Sequence, residues 1–226
     1  MGRASDLLTS YIATGARLGG GYFARGNQRK PEKLLELWEF EACPFCRKTR
    51  EALTGLDLDV LVRPCPKGGT RFRPGKKQFP YLVDPNTGAE MYESMDIARY
   101  LAKTYGDGSL PIGLRLGPIT TVTSMIASAW RAGHGGRVKK SNAPDKPLEL
   151  WSFETSPYCR LAREALCELE IPYVLHNVGK RSANRKDFVS RSGRMMVPYL
   201  VDENTGKAMF ESADIVQYLH STYAIE

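Results

Sequence analysis

From Leu34 to Glu41 apolar positions alternate with polar ones (Leu35, Leu37, then Phe40 beside Trp38), the period of a strand with one face on a core. The run stops at Cys43-Pro44-Phe45-Cys46, and Arg47 to Leu53 carries strong helix formers behind a proline placed where a first helical turn tolerates a missing N–H. Leu58 to Val62 is a second β-rich run reached through a short loop, so the segment predicts a β-α-β unit with parallel strands and a right-handed crossover. After a basic, Gly-containing loop, Tyr81 to Val83 and Ala89 to Tyr92 flank Asp84-Pro85-Asn86-Thr87-Gly88, the composition of a hairpin turn. Glu93 and Ser94 then open a helix with Ile97, Tyr100, Leu101 and Tyr105 on its inner face, capped by Ser94 or its neighbour.

The same pattern returns. Pro31 to Val62 and Pro144 to Leu175, at an offset of 113, share 16 identities in 32; Pro80 to Tyr105 and Pro198 to Tyr223, at an offset of 118, share 17 in 26. The second copy therefore carries five extra residues in between, where neither copy reads as regular structure, and Ile171 to Leu175 repeats the second strand. Two superimposable units of roughly 100 residues follow. Each is expected to hold a four-stranded mixed sheet flanked by helices. The boundaries are a leading helix and Gly-rich bend over residues 1–30, a first α/β unit over 31–106, a linker and amphipathic helix over 107–143, and a second α/β unit over 144–226. The leading helix is read from Leu8, Tyr11, Ile12, Gly15 and Ala16, which recur 114 residues later as Val122, Met125, Ile126, Ala129 and Trp130 at one-face helical spacing. Bends follow at Gly19 to Gly21 and Gly133 to Gly136, and the two helices are expected to cover a sheet or join the halves. Gly106 to Pro118 is a Gly- and Pro-rich linker, with the second copy beginning at about Ile119.

Composition narrows the function classes. Hydrophobic residues make up 42% of the 226, with no apolar run near the ~18 residues of a membrane span, so no transmembrane segment is expected. The first thirty residues hold one acidic group and several Arg, Ser and Thr, as the edge of an organelle-targeting segment would, but the recurrence of the helix favours a structural role. The net charge of +7 gathers in Arg47, Lys48, Arg50, Arg63, Lys67, Arg71, Arg73, Lys76 and Lys77, and again between Lys180 and Arg194. Such a rim attracts anionic small molecules; without a binding motif or interleaved aromatics it does not argue for specific nucleic acid, and most of it reads as solvated face. Five cysteines make no even framework, and a Cys-X-X-Cys spacing reads as redox chemistry in a reducing compartment. Cys65, Cys159 and Cys167 supply no second close pair, and His134, His176 and His220 share no ligand spacing, so no metal site is predicted. Cys65 reads as a semi-buried loop residue or an exposed regulatory thiol. Cys159, Cys167, Trp38 and Trp151 read as core.

A strand, Cys-Pro-Phe-Cys at a helix start, an X-Pro before the next strand, a hairpin and Glu-Ser at a final helix resemble the thioredoxin superfamily. Within it, the chain is similar to glutaredoxins and the N-terminal domain of glutathione transferases, and most of all to the tandem glutaredoxin-like, transferase-N-terminal proteins of cyanobacteria and plastids. The resemblance implies two tandem thioredoxin-like domains, glutathione as cofactor, glutathionylated or disulfide proteins as partners, and the plastid stroma as compartment. It implies cis peptides at Phe79-Pro80 and Val197-Pro198, with the backbone of Phe79 and Val197 presented to the cysteinyl part of glutathione. Glu93 and Ser94, and likewise Glu211 and Ser212, match the pair that holds the γ-glutamyl carboxylate at a helix N-terminus. The Gly-Gly kink of glutaredoxins and the helical domain of transferases have no counterpart here. By resemblance, the proline in the first turn disfavours iron–sulfur ligation.

Cys43, at a helix start beside cations, is the expected nucleophile and Cys46 the resolving thiol. The second copy has Ser156 in place of the leading cysteine. A serine hydroxyl is not ionised near neutrality and cannot displace a disulfide, but it can donate to a bound thiolate. The second unit is either a glutathione binder with transferase-like activation or a degenerate copy kept for packing. Overall the sequence predicts a glutathione-dependent thiol–disulfide oxidoreductase. The alternatives are a non-catalytic assembly module, engaging a protein complex through its leading helices, and a transferase.

Overall fold

The computed structural model describes residues 3–17, 20–72, 75–131 and 133–225; Gly19 of the first bend and Arg73 of the basic loop lie outside them. In chain order the elements are α1 (Arg3–Ala16), β1 (Leu35–Glu39), α2 (Pro44–Gly55), β2 (Val60–Pro64), β3 (Tyr81–Asp84), β4 (Ala89–Tyr92) and α3 (Ser94–Tyr105), followed by a 3-10 turn, Ile112–Leu114. The second half adds α4 (Pro118–Trp130), β5 (Leu148–Ser152), α5 (Pro157–Glu168), β6 (Tyr173–Asn177), α6 (Arg185–Ser192), β7 (Tyr199–Asp202), β8 (Lys207–Phe210) and α7 (Ser212–Tyr223). The fold is α/β and thioredoxin-like. In each half the two strands flanking the first sheet helix are parallel, and the third and fourth form an antiparallel hairpin.

The two sheets are one. Strands run in the order β4-β3-β1-β2-β6-β5-β7-β8, because β2 pairs antiparallel with β6 through Val60–Leu175, Leu61–Val174 and Val62–Tyr173. Joining the halves this way satisfies two strand edges that each half alone would leave open. A continuous apolar core follows, running from Leu35, Leu37 and Leu82 through Val60 and Tyr173 to Leu150 and Leu200.

Three features depart from the sequence reading. The five extra residues belong to a helix, α6, whose only buried side chain, Phe188, stacks at 5.9 Å on Trp151. One buried position makes no apolar stripe, so periodicity has nothing to register; Gly193 ends the helix at φ 80°, a left-handed value that glycine adopts freely. The second departure is electrostatic: Arg47, Lys48 and Arg50 are buried, not solvated. Arg50 pairs with Glu39 and, across the halves, with Glu154 at 2.8 Å; Arg163 of the second half reaches back to Glu41 at 3.1 Å and to Glu154 at 3.0 Å. Burial opposes the charge of Glu154, but Arg163, Arg50 and Arg47 outweigh it and hold the carboxyl well below the usual range. This buried cluster ties α2 and the turn after β1 in one half to α5 and the turn after β5 in the other.

The third departure is the direction in which the leading helices turn their apolar stripe; the helices themselves take one of the two expected roles. They join the halves, each lying on the other half's sheet helix: α1 against α5, with Ser10 Oγ donating to the Pro157 carbonyl at 2.9 Å, and α4 against α2, with Lys48 Nζ donating to Thr121 Oγ1 at 3.2 Å. They also pack on each other in opposite directions. Arg17, after α1, bonds the Thr120 carbonyl and Thr123 hydroxyl at the start of α4, and Arg131, after α4, bonds the Asp6 carbonyl and Thr9 hydroxyl near the start of α1. The faces turned inward are small or polar (Ser10, Ala13, Thr120, Ser124, Ala127), so the apolar stripe that signalled the helices points outward.

Candidate functional site

Cys43 sits at the N-cap of α2 in an extended conformation, and Pro44 occupies the first turn. The backbone N–H of Cys46, one of the helix-start donors with no intrahelical partner, points at Cys43 Sγ at 3.2 Å. The Cys46 thiol and the N–H groups of Cys46 and Phe45, with the Arg50 cation beyond them, favour the thiolate over the opposing effect of burial and lower Cys43 to about 7. Burial pushes Cys46 well above its ordinary value. The two sulfurs are therefore electrostatically unequal, one ready to ionise and the other held as a thiol. Cys43 keeps 3% of its surface, whereas Phe45, between them, is 44% exposed. Thiolate formation is easy at this position, and approach to the sulfur is narrow.

Phe79-Pro80 and Val197-Pro198 are both cis. Glu93 and Glu211, the residues before α3 and α7, adopt φ 67° and 65°, left-handed values that non-glycine residues rarely hold, and neither makes a side-chain cap. The N-cap of α3 is thus Glu93, the neighbour of Ser94, without the side-chain cap bond expected there, and Glu211 of α7 lacks one too. The same residue holds the same left-handed conformation in both halves. In the first half the Gln78 amide donates to the Glu93 carboxylate at 2.6 Å, bridging the loop before Pro80 and the start of α3.

The second half repeats the frame with altered chemistry. Ser156 takes the N-cap of α5, its hydroxyl accepting from the Cys159 N–H at 3.3 Å. Tyr158, Met196, Val197, Pro198, Glu211 and Ser212 line one cleft of about 300 Å³, so the structure brings together four of the five residues expected there, with Ser156 two positions from Tyr158. Met196 replaces Gln78 and leaves Glu211 exposed. A second cavity of about 400 Å³ lies across Ser212, bordered by Ala165 and Val216; in the first half, Leu114 of the 3-10 turn fills the corresponding seat on Ala52 and Ala98. Cys159 and Cys167 are core residues, and burial pushes the Cys65 thiol far up, which argues against a reactive regulatory role. Among the described residues no cluster of His, Cys, Asp or Glu is arranged to hold a metal.

Sequence reasoning missed Gln78 and Glu39. Gln78 stands opposite a methionine in the aligned copies, a polar-to-apolar change beside Pro80 that offered a signal. Glu39 follows Leu35 and Leu37 on the inward face of β1, an acidic residue in core register; burial, against Arg50, raises it to about 7. Its counterpart is Ser152.

The chain matches the glutathione S-transferase N-terminal domain family twice, over residues 37–109 and 150–226. No curated protein sequence matches it. Among solved structures it is similar to TDR1, a trimeric glutathione transferase of Leishmania, at 15% identity and a TM-score of 0.29, covering 86% of this chain and 68% of that one. No helix among the described residues is long and apolar enough to cross a membrane. With well over half of its length in the two matched segments, the chain belongs to the glutathione S-transferase N-terminal domain family.

Proposed function

We propose that this protein is a glutathione-linked thiol–disulfide oxidoreductase of the tandem glutaredoxin-like type, with one redox site at Cys43. The observation that carries the reading is the Cys43 sulfur at the start of α2, accepting from the Cys46 N–H at 3.2 Å; the Cys46 thiol and the helix-start donors lower it to about 7. Cys43 thiolate attacks the glutathionyl sulfur of a mixed disulfide, forming a Cys43–glutathione disulfide and releasing the substrate thiolate, which takes a proton from water. A second glutathione thiolate then attacks that sulfur, leaving as oxidised glutathione and restoring Cys43. One free glutathione is consumed per mixed disulfide, the disulfide bond passing from the substrate to oxidised glutathione. On a protein disulfide, Cys43 attacks one sulfur, Cys46 then closes on Cys43 and expels the reduced substrate, and two glutathiones reduce the resulting Cys43–Cys46 disulfide. Phe79, Pro80, Glu93 and Ser94 hold glutathione in this half, with Gln78 displaced from Glu93 on binding. A reducing compartment suits the five free cysteines, and the plastid stroma follows from the resemblance.

The cleft around Val197, Pro198, Glu211 and Ser212 favours a second reading for the other half: it binds glutathione, with Ser156 donating to the bound thiolate as in a transferase. The test is reduction of a small glutathionylated substrate by glutathione. Cys43→Ser abolishes it and Cys159→Ser leaves it intact; equal turnover in the Cys43→Ser variant removes the proposal. Calorimetry with millimolar glutathione tests the second half, where Ser156→Ala keeps binding and lowers any conjugation of a small electrophile.

A further inference from the structure

Among the described residues, the outward stripe of the leading helices gathers many of the exposed large apolar side chains on one face. Leu8, Tyr11 and Ile12 of α1 and their counterparts Val122, Met125 and Ile126 of α4 are 36% to 61% exposed, and Ile119 and Trp130 extend the strip to 57% and 52%. Scaled by ordinary side-chain areas, these eight residues expose about 750 Å², more than the ~300–600 Å² of the largest patch on a typical monomer. Helix α4 contains no charged residue, in a chain whose net charge is +7. The amphipathic pattern is thus inverted: small and hydroxyl side chains bind the helices to the body, and the large apolar ones are held out.

We propose that this face is the interface of a homodimer. Covering ~750 Å² on each of two copies buries about 1,500 Å², the size of a standard stable interface. The shape suits a second copy, because α1 and α4 are antiparallel and related by the internal pseudo-twofold. Two such hairpins face to face make a four-helix layer with an apolar centre, and an isologous contact needs one patch that serves both sides. Charge agrees: between two copies of +7, a face without charged side chains is where the local repulsion is smallest. A lipid surface is less suited, since no basic side chain on α4 is placed to meet headgroups. The contact also reaches the candidate sites. Tyr11 edges onto the exposed Tyr158 at 6.0 Å, and Lys48, bonded to Thr121 of α4, lies 4.9 Å over Phe45. A second copy would therefore wall both turns, supplying a flank that a lone chain lacks. This inference stands independently of the redox reading.

Sedimentation equilibrium of the full chain tests it. The wild type is expected at twice 25.2 kDa in the micromolar range, and Met125→Glu or Ile126→Lys, each entering the interface twice, should weaken association at least 100-fold while leaving circular dichroism unchanged. A monomer at 100 μM, or a dimer indifferent to both substitutions, overturns the proposal. Binding of a monomeric wild type to neutral phosphatidylcholine vesicles would overturn it in favour of lipid.

Discussion

Replacing Glu154 by Gln removes the carboxylate on which three guanidinium groups converge: Arg50 at 2.8 Å, Arg163 at 3.0 Å and Arg47 at 3.5 Å, every side chain at most 2% exposed. The wild-type cluster sets four buried arginines, Arg47, Arg50, Arg160 and Arg163, against Glu39, Glu41 and Glu154. The variant keeps only two carboxylates, one of which, Glu39, is already raised to about 7 by burial. Removing one partner from a buried ion cluster costs about 3–5 kcal/mol, because the cations left behind stay desolvated. For a chain of this size, ~2–4 °C per kcal/mol gives a fall in Tm of roughly 6–20 °C at pH 7. The pH dependence has a definite sign. The folded carboxyl is held below its unfolded value, so its contribution is complete above about 4.3 and declines as pH falls toward the folded value. The gap between wild type and variant should accordingly narrow in acid. Calorimetric scans from pH 3 to pH 7 measure it. A drop under 2 °C at pH 7, or a gap constant with pH, would show that the cluster behaves like exposed ion pairs of under ~1 kcal/mol and does not hold the halves together.

Further outcomes follow from single contacts. Asp84 accepts from Tyr100 and Tyr105, each at 2.5 Å, which hold it low against the effect of burial; Asp84→Asn should cost about 1.5–3 kcal/mol at neutral pH, by urea titration, and less below pH 4. Ser156→Cys places a thiol before the Cys159 N–H at 3.3 Å and should raise the count of fast-alkylating thiols from one to two at pH 7.5, by mass spectrometry; an unreactive new thiol would show that the helix start does not activate this position. Glu211→Gly relieves a non-glycine φ of 65° and should raise Tm by about 2–4 °C, near 1 kcal/mol, while calorimetry shows weaker glutathione binding; loss of both stability and affinity would contradict strain held for function.

The duplication made the two thioredoxin-like units legible, because strand period, turn residues and the helix-start cysteine occur twice in one order. Packing between the units was not legible. The β2–β6 seam depends on two identical edges meeting, which no periodicity within one copy encodes. Arg47 and Arg50 read as surface because the carboxylates that permit their burial lie on β1, in the loop after it, and in the other half at Glu154, and Lys48 because α4, whose Thr121 it bonds, lies far along the chain. The leading helices were found through an apolar stripe whose direction the sequence does not carry: Leu8 and Val122 look like core until Ser10 and Ser124 are seen at 0% exposure on the opposite side. At the candidate site, the cysteines and prolines were visible as motifs, whereas the Gln78–Glu93 bridge, which Met196 cannot make in the second half, required the loop's path in space.

The proposed redox chemistry rests on an activated thiol in the first half. The direct measurement is the rate of iodoacetamide alkylation of Cys43 against pH, read on the intact chain with Cys43→Ser as the blank. One fast-reacting thiol with a midpoint near 7, absent from the blank, is expected. A midpoint near the ~8.5 of free cysteine, or no alkylation of Cys43 in the folded chain at any pH, would contradict it.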